Sequence, residues 1–443
     1  MKRAFDLDAA LRLVDGAQSA RVAGKVTELT GLVLRATAPG ARAGELVIIE
    51  RSGAGPLRAE VVGFRGDEVV LLPLGDASGV GPDSVVRPTG RPFAIRVGPS
   101  LLGRVLDGLG EPIDGRGPLG PPESLETWSV ERAAPDPLSR RRVTAPLALG
   151  VRALDACLTV GEGQRIGLFS GPGLGKSTLL GQIARRSEAE VNVIALVGER
   201  GREVRDFVEG ELGDEGLARS VVVAATSDAP PLLRLKSALV ATAIAESFRE
   251  RGKRVLLLLD SLTRVARAQR EVGLAAGEPP ARQGFPPSVF AMLPRLLERT
   301  GNSARGSITA IYAVLTQQGG DDSDDPIADE VRAILDGHVW LSREMAARAH
   351  WPAIDVVRSL SRVMDEIVDE PHRTAAARLR EVIATYERQR DLILMGAYRR
   401  GSDENTDYAL DMIDEAYGFL RQARDERQPF SDTRRQLLEL FGD

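Results

Sequence analysis

The sequence predicts an α/β protein built on a parallel sheet, with a small all-β domain before it and helices after it. Apolar runs at Val191–Val197, Val221–Ala225 and Val255–Leu259 alternate with helical stretches, as in a parallel sheet covered on both faces. Between residues 20 and 95, short apolar runs alternate with Gly, Pro and Asp turns, which is typical of a small β-barrel or sandwich. After about residue 370 the pattern is helical.

The domain organisation follows from these changes of pattern, since 443 residues are enough for two or three domains. We assign residues 1–19 to an N-terminal helix or mobile segment and residues 20–95 to the β domain. Residues 96–369 form the α/β domain, and residues 370–443 form a C-terminal helical domain. Residues 96–148 are rich in Gly and Pro and are expected to be irregular.

Charge and composition exclude several classes of protein. Hydrophobic residues make up 43% of the chain, a globular value, and the net charge of −5 provides no basic field for nucleic acid. The single cysteine, Cys157, excludes a disulfide within the chain and a cysteine-based metal site. The histidines lack ligand spacing and are interpreted as structural. They are His338, His350 and His372.

Membrane-spanning and targeting segments are not expected. The apolar runs are much shorter than the ~20 residues that a membrane helix needs. Asp6 and Asp8 stand where a signal peptide would have its apolar stretch. We therefore expect a cytoplasmic protein.

The strongest local signal is a glycine-rich loop, Ser170–Thr178, which follows the apolar strand Arg165–Ser170 and opens a helix. Backbone N–H groups of such a loop surround phosphate oxygens, and the helix N-terminus adds positive charge. The loop therefore predicts ATP and Mg²⁺ binding, with Lys176 on the β- and γ-phosphates and the Ser177 hydroxyl on Mg²⁺. Ser170 replaces the usual first glycine. The expected nucleotide contacts are Gly171, Pro172, Gly173, Leu174, Gly175, Lys176, Ser177 and Thr178.

Two carboxylates end apolar strands near this loop. Asp260 follows Val255–Leu259, where a carboxylate can hold Mg²⁺; its structural alternative is a helix N-cap. Glu199 ends the strand Val191–Val197 and can orient the attacking water. Its structural alternative is an ion pair with Arg200 or Arg202. Together with the loop, these residues predict an ATP hydrolase.

Phosphoryl transfer also needs positive charge on the γ-phosphate. An arginine finger supplies this charge, often from a neighbouring subunit. The spacing of the arginines does not choose among the candidates, which are Arg200, Arg264, Arg343 and Arg362.

Five further segments carry specific sequence patterns: Gly198–Val204, Asp260–Arg264, Gly277–Phe290, Leu335–Arg343 and Pro352–Arg362. In these segments the chain resembles the type III secretion system ATPases, a family related to the flagellar export ATPases and to rotary ATP synthase α/β subunits. The similarity runs from about residue 20 to residue 420. It implies a RecA-like core between an N-terminal β-barrel and a C-terminal helical domain, and a homohexamer with ATP sites between subunits.

The resemblance also implies roles for individual residues. Glu199 matches the catalytic glutamate, and Arg200 matches the arginine beside it. Arg264 matches an arginine near the γ-phosphate, and Arg362 matches the finger that reaches the next subunit's site. Trp351 stands where the family usually has a tyrosine that stacks on adenine, and an indole can stack equally well.

Two departures from the family pattern concern loops. Val314–Asp322 is longer than its counterpart and lacks a glutamate, in a loop that lies near the nucleotide in relatives. Gly401–Glu404 ends in Glu instead of Pro. The secretion branch is favoured over the flagellar branch by Leu296–Ser303, Asp329–Arg332 and Ser361–Val368.

The resemblance implies partners as well: a central stalk, stator proteins, chaperone–effector complexes and an export gate at the membrane. It places the protein at the inner face of the bacterial inner membrane, with the Gly277–Phe290 loop as the inner surface of the ring. The alternatives are a flagellar export ATPase, a rotary ATP synthase catalytic subunit, a hexameric helicase and a non-catalytic nucleotide-binding scaffold.

Overall fold

The computed structural model describes residues 23–316 and 325–442. The chain divides into two compact units, with the boundary between Phe93 and Ala94. The expected N-terminal helix (residues 1–19) and most of the altered loop (Gln317–Gly320) lie outside the described residues.

The first unit is a closed six-stranded barrel in which every pair of neighbouring strands is antiparallel. Around the barrel the strands follow the order β1-β2-β5-β4-β3-β6. Alternate residues point inward and are fully buried, such as Val47 and Ile49. The predicted small β domain is therefore a barrel and not a sandwich. The strands are β1 (Gly24–Thr30), β2 (Val33–Ala36), β3 (Glu45–Ile49), β4 (Leu57–Arg65), β5 (Glu68–Pro73) and β6 (Val85–Pro92).

The second unit is built on a sheet of nine strands, with a separate two-stranded sheet formed by β7 and β9. The strands of this unit are β7 (Ala94–Val97), β8 (Val105–Asp107), β9 (Glu126–Ser129), β10 (Arg165–Ser170), β11 (Val191–Glu199), β12 (Ser220–Thr226), β13 (Arg254–Asp260), β14 (Gly301–Asn302), β15 (Ser307–Leu315), β16 (Gly337–Leu341) and β17 (Ile354–Ser361).

The expectation of irregular structure over residues 96–148 was wrong in part. β8 joins the large sheet beside β12, and β9 pairs with β7. Each of these strands has only three or four residues between Gly- and Pro-rich turns, which is too short for a periodic pattern to appear.

The large sheet follows the order β17-β16-β10-β15-β13-β11-β12-β8, and β14 pairs with β15. The strands from β16 to β8 are parallel, whereas β17 and β14 are antiparallel to their neighbours. Because the parallel strands share a direction, Ser170, Glu199 and Asp260 end at the same edge of the sheet. The predicted α/β fold with a parallel core sheet is confirmed.

Helices cover both faces of the sheet and continue into a C-terminal bundle whose apolar residues join the same core. None of the described helices combines the length and the apolar character that a membrane span requires. The helices are α1 (Arg152–Cys157), α2 (Lys176–Arg186), α3 (Gly201–Arg205), α4 (Gly213–Ala218), α5 (Pro231–Glu250), α6 (Leu262–Ala275), α7 (Pro287–Leu297), α8 (Pro326–Ile334), α9 (Arg343–Ala347), α10 (Met364–Ile367), α11 (Glu370–Leu394), α12 (Glu404–Leu420) and α13 (Phe430–Phe441).

The long C-terminal helices begin at side-chain caps that the sequence provides. Asp369 accepts a hydrogen bond from the His372 backbone N–H at the start of α11, and Asp403 accepts one from Thr406 at the start of α12. His372 also ties α11 to α1, because its Nε2 lies 2.8 Å from the Ala156 carbonyl oxygen. The helical domain is thereby anchored on the sheet domain.

Candidate active site

The glycine-rich loop joins β10 to α2 at the carboxyl edge of the sheet. Gly173 and Gly175 have φ angles of 76° and 78°, a left-handed conformation that glycine adopts without steric cost. A Cβ on Gly175 would lie 2.9 Å from the Trp351 ring, so the loop and this ring are in close contact. Ser170 stays in β10, with its hydroxyl donating to the Gly171 carbonyl oxygen at 3.2 Å.

Lys176 lies between the two predicted carboxylates. Its Nζ pairs with Asp260 and lies 3.6 Å from Oε1 of Glu199. Both carboxylates are buried, at the ends of β13 and β11. The helix N-cap expected as the alternative for Asp260 is Ser261 instead, at the start of α6. The structure therefore brings the loop lysine and both acidic residues into one cluster.

Glu199 is electrostatically unusual. Burial raises its pKa to about 7, and a hydrogen bond with Glu203 and the nearby Asp260 also raise it, while Lys176 and Arg264 oppose the shift. Its Oε1 atom is buried and has no hydrogen-bond partner. A buried acceptor without a partner beside a phosphate-type loop is suited to hold a water molecule.

Two candidate arginines flank Glu199 in different ways. Arg264, in the first turn of α6, donates to the Gly198 carbonyl oxygen and lies 3.1 Å from Oε2 of Glu199. Arg200 is exposed, and its guanidinium lies 3.4 Å from the Glu203 carboxylate. The structure thus places Arg264 in the cluster and directs Arg200 away from it.

Arg362 is not part of this cluster. It follows β17, and its backbone N–H donates to the Asp336 carbonyl oxygen at 3.0 Å. Ser361 is paired with Gly337, whose strand runs parallel to β10 beside Ile166. At about 3.3 Å per strand residue, Ile166 and Gly171 are separated by roughly 16 Å along β10. Arg362 is exposed at the amino edge of the sheet, opposite its own loop.

Arg343 lies nearer to the loop. It follows β16 and begins α9, and its Nη2 is 3.9 Å from the position that a Cβ on Gly171 would take. The guanidinium is exposed and forms none of the ion pairs seen in the described part of the chain. Arg343 is therefore the candidate arginine that flanks the outer side of the loop.

A cavity of about 450 Å³ adjoins the loop, and Lys176, Glu199 and Asp260 are not among the residues that line it. Trp351, Pro352 and Ala353 form one wall, and Gly173 to Gly175 form the floor. The segment Gln422–Arg424, after α12, closes the cavity. Sequence reasoning missed this segment because it is far from the loop in sequence and carries no motif.

Segment Gln422–Arg424 is fixed by polar contacts. The Gln422 backbone N–H donates to the Trp351 carbonyl oxygen at 2.9 Å, and its side chain accepts from the Arg152 backbone N–H at 2.9 Å. Its Nε2 donates to the Gly150 carbonyl oxygen at 3.1 Å. The cavity volume of about 450 Å³ lies in the range of small-molecule sites, and Trp351 offers an aromatic face in its wall.

The described residues contain no metal site built from protein side chains alone. Within residues 23–316 and 325–442, no three His, Cys, Asp or Glu side chains are placed to hold an ion. Burial lowers the pKa of His350 to about 4, and His338 lies 3.1 Å from the Arg358 carbonyl oxygen. Cys157 is buried and free.

The loop on a parallel sheet, the acidic cluster at its carboxyl edge and the adjoining cavity together define a phosphate-loop ATPase domain. Comparison with known families agrees with this class. Residues 150–361 match the ATP synthase alpha/beta family nucleotide-binding domain, and residues 26–90 match its beta-barrel domain. Residues 368–439 match the type III secretion EscN ATPase C-terminal domain.

Similar proteins define the family more narrowly. The chain is 53% identical to a type 3 secretion system ATPase of Xanthomonas euvesicatoria over 95% of this chain and 94% of that protein. It is 49% identical to a flagellum-specific ATP synthase of Bacillus subtilis, with 95% of each chain covered.

Solved structures agree. The assembled ATPase EscN from the type III secretion system of enteropathogenic E. coli is 45% identical, with a TM-score of 0.88 over 95% of this chain and 100% of that chain. EscN in complex with its central stalk EscO gives a TM-score of 0.87 over the same shares of the two chains, again at 45% identity. The chain belongs to the family of type III secretion system ATPases, and it is an ATP-hydrolysing enzyme.

Proposed function

We propose that the protein works as a homohexameric ring that hydrolyses ATP to energise type III protein export, with each ATP held between two subunits. The position of Arg362 carries the proposal. This arginine lies at the sheet edge opposite its own loop, so it serves the site of a neighbouring subunit. The EscN structures support a ring, because that relative is an assembled ATPase.

Each site then uses groups from two chains. The loop N–H groups and Lys176 bind the phosphates, and Lys176 exchanges its carboxylate partners for phosphate oxygens when ATP enters. Glu199 orients the attacking water through Oε1, which accepts no hydrogen bond within the described part of the protein. Arg264 holds Glu199 in place, and Arg362 of the neighbouring chain meets the charge that develops on the γ-phosphate.

Magnesium fits the residues at this site. Ser177 offers an exposed hydroxyl, and Asp260 offers a carboxylate; both are oxygen donors of the kind Mg²⁺ prefers. A protein cage is not required, because Mg²⁺ in phosphoryl-transfer sites takes most of its ligands from phosphate and water. Bound Mg²⁺ would neutralise charge on the β- and γ-phosphates. Trp351 in the cavity completes the proposed nucleotide contacts, and Arg200, exposed beside Glu199, keeps the catalytic role that the family resemblance implies.

The partners follow from the family. EscN binds a central stalk, EscO, and we extend a central stalk to this protein. Stator proteins, chaperone–effector complexes and a membrane export gate are the further partners expected of an export motor. The protein would act in the cytoplasm at the inner face of the inner membrane.

Rings assembled from two different variant subunits test whether each ATP site is shared between neighbouring chains. Lys176→Ala should abolish ATP binding in its own loop, and Arg362→Ala should retain ATP affinity but lose turnover by roughly 10³-fold. In a 1:1 mixture, about one interface in four combines the intact Lys176 of one variant with the intact Arg362 of the other. These interfaces should restore part of the ATPase activity. Mixtures that stay as inactive as either variant alone would overturn the two-chain site.

A flagellar role is the second candidate, because a flagellum-specific relative is 49% identical. Expression in a strain lacking its flagellar export ATPase, and in a strain lacking its secretion ATPase, separates the two. Restored effector secretion without restored motility supports the secretion role, and the reverse result supports the flagellar role.

A further inference from the structure

A π-helical segment, Asp206–Leu212, has no role in the chemistry described above. It follows α3, which starts two residues after Glu199, and it packs on α2. A Cβ on Gly181 of α2 would lie 2.6 Å from Cβ of Glu211, so the two backbones approach closely there. Segments of this kind within helices often occur at functional sites.

Glu211 has contacts on two sides. The Thr178 hydroxyl, at the end of the glycine-rich loop motif, donates to its Oε1 at 3.0 Å. Its Oε2 lies 3.0 Å from Nη2 of Arg424, in the segment that closes the nucleotide cavity. The Glu211 side chain is 16% exposed, so water screens these contacts only partly.

The surrounding charges make Glu211 a bridge between cations. Burial and the nearby Arg424 lower the pKa of the Arg185 guanidinium on α2, whereas Glu211 and Asp425 raise it. Arg424 also donates to the Gly210 carbonyl oxygen at 2.8 Å, and Arg186 donates to the Arg424 carbonyl oxygen. The closing segment is therefore attached to α2 mainly through charged groups around Glu211.

We propose that Glu211 is a positioning residue that couples the phosphate loop to the C-terminal helical domain. Through Thr178 and Arg424 it holds the loop and segment Gln422–Arg424 together, so that both close on the nucleotide as one unit. Movement of the C-terminal helices would then alter ATP affinity at the loop. The inference rests on the proposed ATP site and adds a route for its regulation.

Glu211→Gln tests the coupling, because the amide keeps an acceptor for Thr178 but removes the charge that faces Arg185 and Arg424. We expect the KM for ATP to rise about tenfold while kcat stays within about threefold, since Glu199 and Arg264 are untouched. Arg424→Gln should give a similar change. The double variant should be no worse than either single variant, because both break one bridge.

Arg427→Gln is the matched control. Arg427 pairs with Glu215 at 2.9 Å in the same region, but both side chains are about three-quarters exposed. Its loss should leave KM and kcat at parent values, because exposed ion pairs contribute little. Thermal unfolding of each variant monitors the fold.

The outcomes are distinguishable. An unchanged KM in Glu211→Gln, or effects of the two single variants that simply add, would overturn the inference. A purely structural role would lower the melting temperature and leave KM unchanged. The proposed function is judged separately, by whether the parent protein hydrolyses ATP and Lys176→Ala does not.

Discussion

The two ends of the proposed nucleotide site are built in different ways. At the phosphate end, Glu199 and Asp260 come from the carboxyl ends of two strands of one sheet, and Lys176 comes from the helix that follows the loop; the three form a charged cluster. At the other end, Trp351 and segment Gln422–Arg424 form a largely apolar cavity from separate parts of the chain. The first arrangement is suited to chemistry and the second to affinity, so changes at the two ends should affect different kinetic constants.

The largest expected effect is at the phosphate end. Glu199→Gln keeps the shape of the side chain but removes the negative charge that orients water in the proposed mechanism. We expect turnover to fall by about 10²–10⁴-fold, the range for loss of a general base. Fluorescent-nucleotide binding should change little, because Lys176 and the loop remain.

A matched change elsewhere controls for loss of negative charge. Glu215→Gln removes a carboxylate that is exposed and pairs with Arg427, outside the acidic cluster. It should hydrolyse ATP as the parent does. If Glu199→Gln instead raised KM and retained kcat, the assignment of turnover to the phosphate end and of affinity to the cavity end would be wrong.

At the cavity end, Trp351→Ala should raise the KM for ATP by roughly tenfold, because stacking of one base on an aromatic ring contributes about 1–3 kcal/mol. The value of kcat should change by less than about threefold, since no group of the acidic cluster moves. Trp351→Tyr should recover most of the affinity. Steady-state kinetics at several ATP concentrations measure both constants.

The difference between the phosphate end and the cavity end also explains which parts of the site could be predicted from the sequence. The glycine-rich loop, Glu199 and Asp260 are recognisable because each is a local pattern at a strand end, and a parallel sheet brings strand ends to one edge. The arginines required the resemblance to a family. Spacing does not reveal that Arg264 folds back onto Gly198 while Arg362 lies at the opposite edge.

The cavity wall could not be predicted in the same way. Gln422 and Arg424 reach the loop only because α11 and α12 pack back on the sheet domain, and that packing depends on scattered apolar residues of one shared core. The contact of Glu211 with Thr178 was missed for a related reason. It depends on a π-helical turn, which no local pattern in the sequence predicts.

A smaller effect concerns pH. Burial and the hydrogen bond with Glu203 hold the pKa of Glu199 at about 7, and the residue must be ionised to accept a proton. The value of kcat/KM should therefore rise as pH increases through about 7. In Glu203→Gln the amide donates to the ionised Glu199, so the pKa of Glu199 falls and this rise moves to lower pH.

ATP itself titrates in a similar range, since phosphate monoesters have a second pKa of about 6. The informative quantity is therefore the difference between the parent and Glu203→Gln profiles, in which the contribution of ATP cancels. Coincident profiles would show that Glu203 does not tune Glu199.

The smallest effect is expected at Ser170, where the family motif usually has glycine. Ser170 pairs with Leu315 as the last residue of β10, and left-handed φ angles occur only farther along the loop, at Gly173 and Gly175. Nothing in its conformation therefore requires glycine.

Ser170→Gly should leave turnover within about twofold and should lower the free energy of unfolding by about 0.5–1 kcal/mol, because glycine is more flexible in the unfolded chain. Urea unfolding measures this loss, and Ser170→Ala separates it from loss of the hydroxyl contact to Gly171. A large gain in turnover for Ser170→Gly would mean that the serine restrains the loop.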